Sequence, residues 1–451
     1  MFEACHPFAF FDYFRVPYEV RPELAAEQHG RDPGPAHVVR LAEPYGGPGR
    51  SLRWVDGTAA PGARLEPYRM GNLTFFAHVR GELRRDEDGV LLPFDPGEVM
   101  LRFWSETYGR SGPSVLVRGY YLVRPLLPRR VQLRLRQAYT RVQERSQFPA
   151  WPVEDSLHGL YRWLFAVLAE LAGQPVPFLG PWPDGRSWAL VLTHDVETAD
   201  GCGQVELLRE PERALGYRSS WNFVPLRYRV PDGLLHRLRT EGCEVGVHGL
   251  RHDGRDLGSV RLLARRLPEI RAYAERWQAA GFRSPGTQRR WDLMPRLGFC
   301  YDSSYPDTDP YEPQPGGCGS YLPFLNQDLV ELPITLPQDH TLFSILQQPD
   351  ARVWHDKARL LRERQGMVLA LTHPDYAADR RVASGYRKLL SAFADDGTAW
   401  RALPQEVAAW WRERAASVLV RGEDGWRVDG PAATRGRVAF ATADAAEAGV
   451  C

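Results

Sequence analysis

Two periodicities divide the chain. From the N-terminus to about residue 130, apolar and polar positions alternate in short runs such as "HVVRLAEP", "RSLRWVDG", "LTFFAHVRGEL" and "SVLVRGYYLV", broken by Gly, Pro and Asp. Side chains on a strand alternate between its faces, so these runs predict half-buried β-strands joined by turns. Residues 131–146 change to helical spacing, and a second helix is expected over Glu154–Ala172, after the "FPAWP" break. The Pro-rich stretch "GQPVPFLGPWPDG" then reads as a linker.

From Ser187 to about Arg414 the pattern changes again. The apolar runs "WALVLTHDV", "RSSWNFVP", "CEVGVHG", "GFRSPG", "LVELPIT" and "GMVLALTHP" alternate with helical segments such as "DGLLHRLRTEG" and "VRLLARRLPEIRAYAERWQAAG". Strands that are apolar throughout are buried on both faces, as in parallel sheets covered by helices, so an α/β domain of barrel type is predicted. Beyond Arg414, "SVLVRGEDGWRVDG" reads as a hairpin followed by an Ala-rich tail expected to be disordered. The expected organisation is thus a β-rich accessory domain over 1–130, a helical segment and linker over 131–186, a (β/α) barrel over 187–414, and a hairpin with its tail over 415–451.

Composition narrows the function classes. Lys and Arg number 57 against 56 Asp and Glu, a net charge of +1, which argues against binding to nucleic acid driven by bulk charge. The six cysteines are scattered with no CxxC pair, as expected of free thiols in a reducing compartment. No basic region followed by an apolar segment marks a signal peptide at the start. The most apolar run, "LYRWLFAVLAELAG", is interrupted by Arg162 and Glu170 and falls short of the ~20 residues a membrane span needs. The expectation is a cytoplasmic protein with no membrane span and no nucleic-acid partner.

Candidate chemistry collects where the predicted strands end. In parallel α/β barrels that is where functional side chains gather. The run "WALVLTHDV" leads into Asp195 and Glu197, two residues apart and therefore on one side of the strand. The run "CEVGVHG" leads into His248 and His252, a spacing that on a helical turn puts two imidazoles on one face. With a carboxylate from another strand end they make a two-His, one-carboxylate set with coordination positions left for water and substrate. "GFRSPG" adds Arg283, a fixed cation able to hold a carboxylate ionised, and "MVLALTHPDY" adds His373, the residue type suited to a general acid near neutral pH. The more ordinary readings are packing for His194 and a buried neutral thiol for Cys318.

The order of these stretches, "THDVE" at 193–197, "HGLRH" at 248–252, "RSPG" at 283–286 and "LTH" at 371–373, resembles the metal-dependent polysaccharide deacetylases of carbohydrate esterase family four. The resemblance covers roughly Ser187–Arg414 and implies a distorted (β/α) barrel of the polysaccharide deacetylase type, preceded here by the β-rich N-terminal domain. It implies a divalent metal, zinc foremost, held by His248, His252 and an acidic residue, and removal of an acetyl group from the nitrogen of a carbohydrate or small N-acetylated substrate. Asp195 would be the base, Arg283 its partner, His373 the acid, and Asp339 in "ITLPQDHTLF" a group orienting His373. Where the family has Phe this chain has His194, and where it has a second metal-binding Asp it has Val196. Glu197 is the natural substitute as metal ligand, leaving Asp195 or Glu197 as the third ligand. Gly286 stands where the family has an aromatic residue. Two rival functions stay open: hydrolysis of a small non-sugar amide, suggested by the lack of an export signal, and carbohydrate binding without catalysis, suggested by Val196 and the β-rich N-terminal part.

Overall fold

The computed structural model describes residues 6–20, 37–41, 50–55, 65–108, 128–145 and 148–443. The expected strand "SVLVRGYYLV" and the last eight residues of the tail, 444–451, lie outside them. The chain forms two compact units, each discontinuous in sequence: 1–108 with 155–187 and 410–451, and 109–154 with 188–409.

The second unit carries the candidate chemistry. Its sheet has nine strands: β1 (Trp188–Val196), β2 (Ser220–Phe223), β3 (Glu244–Val247), β4 (Gly281–Phe282), β5 (Tyr301–Asp302), β6 (Phe324–Asn326), β7 (Leu329–Glu331), β8 (Met367–Thr372) and β9 (Ala399–Arg401). They run in the order β6-β7-β5-β4-β3-β2-β1-β8, with β9 also on β1. Every ladder is parallel except β6 with β7. Among the described residues no ladder joins β6 to β8, so the expected barrel is a curled sheet with two ends. All nine residues of β1 are buried, as its unbroken apolar run requires of a central strand.

Helices join the strands: α1 (Arg129–Gln143) precedes the sheet, and α2 (Ala199–Gly203), α3 (Glu206–Ala214), α4 (Asp232–Thr240), α5 (Val260–Arg276), α6 (Arg352–Glu363) and α7 (Arg380–Ala392) follow in turn. Three of them start at side chains that accept from backbone N–H groups left without intrahelical partners. Thr198 accepts from Gly201 at α2, Ser259 from Leu262 at α5 and Asp379 from Arg381 at α7.

The first unit is built on short strands. Tyr18–Val20, His37–Leu41, Ser51–Trp54, Gly89–Leu92 and Arg84–Asp86 form one sheet in that order, and Glu66–Met70 pairs with Leu73–Ala77. A helix over Ser156–Ala172 packs against Leu73–Ala77. The Pro-rich stretch read as a linker carries a strand, Val176–Leu179, which pairs antiparallel with Val438–Ala441. Tail residues up to Ala441 are therefore ordered by a ladder whose partner lies some 260 positions earlier, a contact invisible to local composition. The hairpin beyond Arg414 is present as Val418–Gly422 with Gly425–Asp429. Among the described residues, no helix is long and apolar enough to cross a membrane.

Candidate active site

Strand alternation sends Thr193 and Asp195 to one side of β1 and His194 to the other. On the outer side His194 is fully buried; its Nδ1 lies 2.8 Å from Thr372 Oγ1 and its Nε2 lies 2.7 Å from Glu212 Oε1 on α3. Its ring stacks on Trp221 at 4.0 Å. It is a packing residue, as expected. Cys318 is likewise a buried thiol, its Sγ 3.7 Å from the Ser320 carbonyl oxygen.

On the inner side Asp195 is held from the adjacent β2 and from the residue that follows β4. Its Oδ1 accepts from Asn222 Nδ2 at 2.9 Å, from the residue paired with it on β2. Its Oδ2 accepts from Arg283 Nη1 at 3.4 Å. The guanidinium is aimed by two further bonds, from Nη2 to Thr193 Oγ1 at 3.2 Å and to Ser303 Oγ at 3.0 Å, and Arg283 is 1 % exposed.

His248 follows β3 directly. Its Nδ1 lies 3.0 Å from the Arg283 carbonyl oxygen, which makes Nδ1 the protonated donor and turns the Nε2 lone pair inward. That Nε2 is buried without a hydrogen-bond partner, 3.7 Å from Asp195 Oδ2. The helical turn expected between His248 and His252 is absent. Gly249 and His252 take left-handed backbone angles, φ 60° and 54°, and fold residues 248–254 into a bent loop. A Cβ on Gly249 would come within 2.5 Å of Pro285 and 2.7 Å of Asp256 Oδ2, so the bend needs glycine there. The loop still brings the imidazoles together, with ring centroids 4.9 Å apart. His252 Nε2 reaches Glu197 Oε1 at 2.9 Å, and one ligand atom from each of Glu197, His248 and His252 lies within 4.8 Å of the others.

His373 ends β8. Its backbone N–H and its Nδ1 both engage Asp339, at 2.7 Å and 2.6 Å, and its Nε2 points to the cluster, 3.9 Å from Glu197 Oε1. Burial works against the charged imidazole, but the Asp339 carboxylate outweighs it and His373 is pushed up to about 10. For His248 burial dominates and lowers the imidazole to about 4, leaving it neutral and able to act as a ligand. Burial also opposes ionisation of Asp195, yet the neighbouring His248 and Arg283 hold it below the usual carboxylate range. Because His248 is neutral above about pH 4, the charges of Arg283 and His373 and the Asn222 hydrogen bond are what keep Asp195 ionised at neutral pH. Glu197 is lowered too: burial opposes its ionisation, but the hydrogen bond with His252 and the neighbouring charges of His252, His373 and His248 together outweigh it.

Two contacts had no signal in the sequence. Asn222 is one. Asp375 is the other: it follows His373 by two residues, and its Oδ2 accepts from the Glu197 backbone N–H at 3.0 Å while its Oδ1 accepts from the Thr198 hydroxyl. Gly201 leaves room for that carboxylate, since a Cβ there would stand 2.2 Å from Asp375 Oδ2. At Gly286, where the resembled family has an aromatic residue, the backbone is left-handed at φ 60° and a Cβ would meet nothing within 4 Å.

The donor set fits a divalent ion. Two imidazole nitrogens and a carboxylate are the ligands of open zinc sites, and a buried Nε2 lone pair without a partner is the kind of atom an ion satisfies.

No family model and no curated protein matches the sequence. Among solved structures, the chain is similar to a candidate polysaccharide deacetylase from Mycobacterium smegmatis, with 19% identity, 54% of this chain and 96% of that one covered, and a TM-score of 0.43. It is similar also to the PuuE allantoinase (14% identity, 52% and 93% covered, TM-score 0.43). A third is the peptidoglycan deacetylase PdaC from Bacillus subtilis (13% identity, 51% and 94% covered, TM-score 0.34). The likeness spans about half of this chain.

Proposed function

We propose that this protein is a divalent-metal-dependent hydrolase that removes an acyl group, acetyl foremost, from the nitrogen of an N-acetylated sugar or glycan precursor. The observation that carries this reading is the meeting of Glu197, His248 and His252 within 4.8 Å, with Asp195 and His373 on their borders. Glu197, His248 and His252 are the residues that would hold the ion. Zinc suits such a set, and when bound it supplies an acidified water and polarises the amide carbonyl.

The side chains of this chain divide the proton transfers. Asp195, ionised beside Arg283, accepts the proton of the attacking water at a carboxylate oxygen. Asp195 is already engaged by Arg283 and Asn222, which favours it as the base and Glu197 as the third ligand. His373 stays charged through neutral pH and gives its Nε2 proton to the departing nitrogen, with Asp339 fixing its tautomer. The water's oxygen bonds to the acyl carbon, the C–N bond breaks, and carboxylic acid and amine result.

The test is acetate release over a panel of N-acetylated sugars and small amides. Asp195→Asn is expected to lower turnover by about 10²–10⁴-fold with metal content unchanged. Unchanged turnover in that variant would remove Asp195 from the reaction.

A further inference from the structure

Helix α1 is turned inside out for a surface helix. Its underside is polar and is pinned by side chains: Arg136 Nη2 donates to the Tyr311 carbonyl at 2.8 Å, Gln137 Nε2 to the Ser344 carbonyl at 2.9 Å, and Gln143 Nε2 to the Pro310 carbonyl at 2.6 Å. Four of its apolar residues face outward. Val131, Leu135, Tyr139 and Val142 are 40%, 45%, 38% and 53% exposed, and they account for four of the ten large apolar side chains that stand exposed among the described residues. Their spacing of four, four and three puts them in one stripe along the helix. An amphipathic helix ordinarily buries such a stripe.

A second stripe runs beside the first. Arg130, Arg134 and Arg141 are exposed on the adjoining face, with Arg145 just past the helix end. Residues 129–145 hold six Arg against a single acid, Glu144. In a chain of net charge +1, this is a local concentration of charge rather than a share of the whole. Apolar and cationic stripes lying side by side on a helix of 15 residues, about 22 Å long, match a surface that offers hydrocarbon and anionic groups together. A second copy of the chain matches it less well, because an antiparallel two-fold pairing would set the arginine stripe close to its own image and a pairing of either sense leaves the arginines without acidic partners on this helix.

We propose that α1 docks the protein onto an anionic lipid surface, the apolar stripe entering the headgroup boundary and the arginines meeting lipid phosphates and carboxylates. The inference stands apart from the reaction proposed above. Docking at α1 also has a structural consequence for the catalytic side. Ser344, which holds Gln137, lies in the turn His340–Ile345, and that turn is capped by Asp339, the partner of His373. The loop that orients the acid would thus face the membrane side of the unit.

The experiment is sedimentation of the full-length chain with vesicles of phosphatidylcholine alone and of phosphatidylcholine with phosphatidylglycerol. Binding is expected only to the anionic vesicles, and it should fall as salt rises. The double variant Arg134→Glu/Arg141→Glu and the double variant Leu135→Ser/Tyr139→Ser are each expected to weaken it by about tenfold or more, with unchanged melting temperature because all four side chains are exposed. Failure of the wild-type protein to bind, equal binding to both vesicle types, or full binding by both variants would overturn the proposal. So would a change from dimer to monomer in the Leu135→Ser/Tyr139→Ser variant, which would assign the stripe to a second copy.

Discussion

Asp375 fixes the peptide that presents Glu197, and it does so from the same loop that carries His373. A ligand whose backbone is held by a carboxylate keeps its direction without paying side-chain entropy each time an ion binds, and losing such outer partners typically costs 10–100-fold in affinity. Asp375→Ala is therefore expected to weaken zinc binding by about 10–100-fold, measured by competition with a chromophoric chelator, while leaving the melting temperature within a few degrees. Gly201→Ala should act in the same direction, since its new methyl group would occupy the place of the Asp375 carboxylate. Wild-type zinc affinity in both variants would show that Glu197 is aimed by other means. None of this was legible in the sequence. Asp195, Glu197, His248 and His373 can be picked out as candidates, because each ends or directly follows an apolar run, whereas His252 and Arg283 stand out by spacing and by the order of motifs. Asn222 and Asp375 act through hydrogen bonds to distant elements, and one-dimensional spacing carries no trace of such bonds.

At the level of elements, β1 does two things with its two faces. Its inner face presents Asp195, while its outer face locks onto α3 and α7 through His194 and Glu212. Glu212 is fully buried and takes hydrogen bonds from Ser219 Oγ at 2.6 Å and Tyr386 Oη at 2.5 Å, besides facing His194 and Arg209. Glu212→Ala would leave Arg209, itself 3 % exposed, and the other partners without their shared acceptor. Removing one member of a buried charged pair costs about 3–5 kcal/mol, so a loss of that order is expected in urea unfolding. A loss under about 1 kcal/mol would mean that water or a rearranged side chain replaces the carboxylate. The long apolar strands and the two helices with regular spacing could be read directly. The two-residue strands β4 and β5 could not be bounded, because Gly281–Phe282 and Tyr301–Asp302 are too short to show a period. A four-residue spacing is compatible with a helical turn and with the bent loop found at 248–254, and the left-handed angles at Gly249 and His252 distinguish them.

Across the whole molecule, buried acids give stability an alkaline limit. Glu244 lies under the sheet, accepting from Tyr301 Oη at 2.5 Å and from the Gln405 backbone N–H at 3.1 Å, and burial pushes it up to about 7 from its ordinary 4.5. The folded protein thus keeps a proton that the unfolded chain releases above 4.5. The stability from this group is complete below that pH and is lost as pH rises through about 7. Asp302 adds to the same trend, raised to about 6 by burial. Glu244→Gln mimics the protonated acid, so the variant should overtake the wild type between pH 5 and 8 by about 3 kcal/mol, read from denaturant unfolding at each pH. Parallel curves for the two proteins would contradict that assignment.

The claim on which the account turns is that Glu197, His248 and His252 form one divalent-metal site. Its most direct test is zinc titration of the metal-stripped full-length protein, beside His248→Ala and Glu197→Gln, with circular dichroism confirming that each variant is folded. The predicted result is one equivalent of zinc bound by the wild type and an affinity at least about 100-fold weaker in each variant. A wild-type protein that takes up no zinc, or a His248→Ala variant that binds it as tightly as the wild type, would contradict the account.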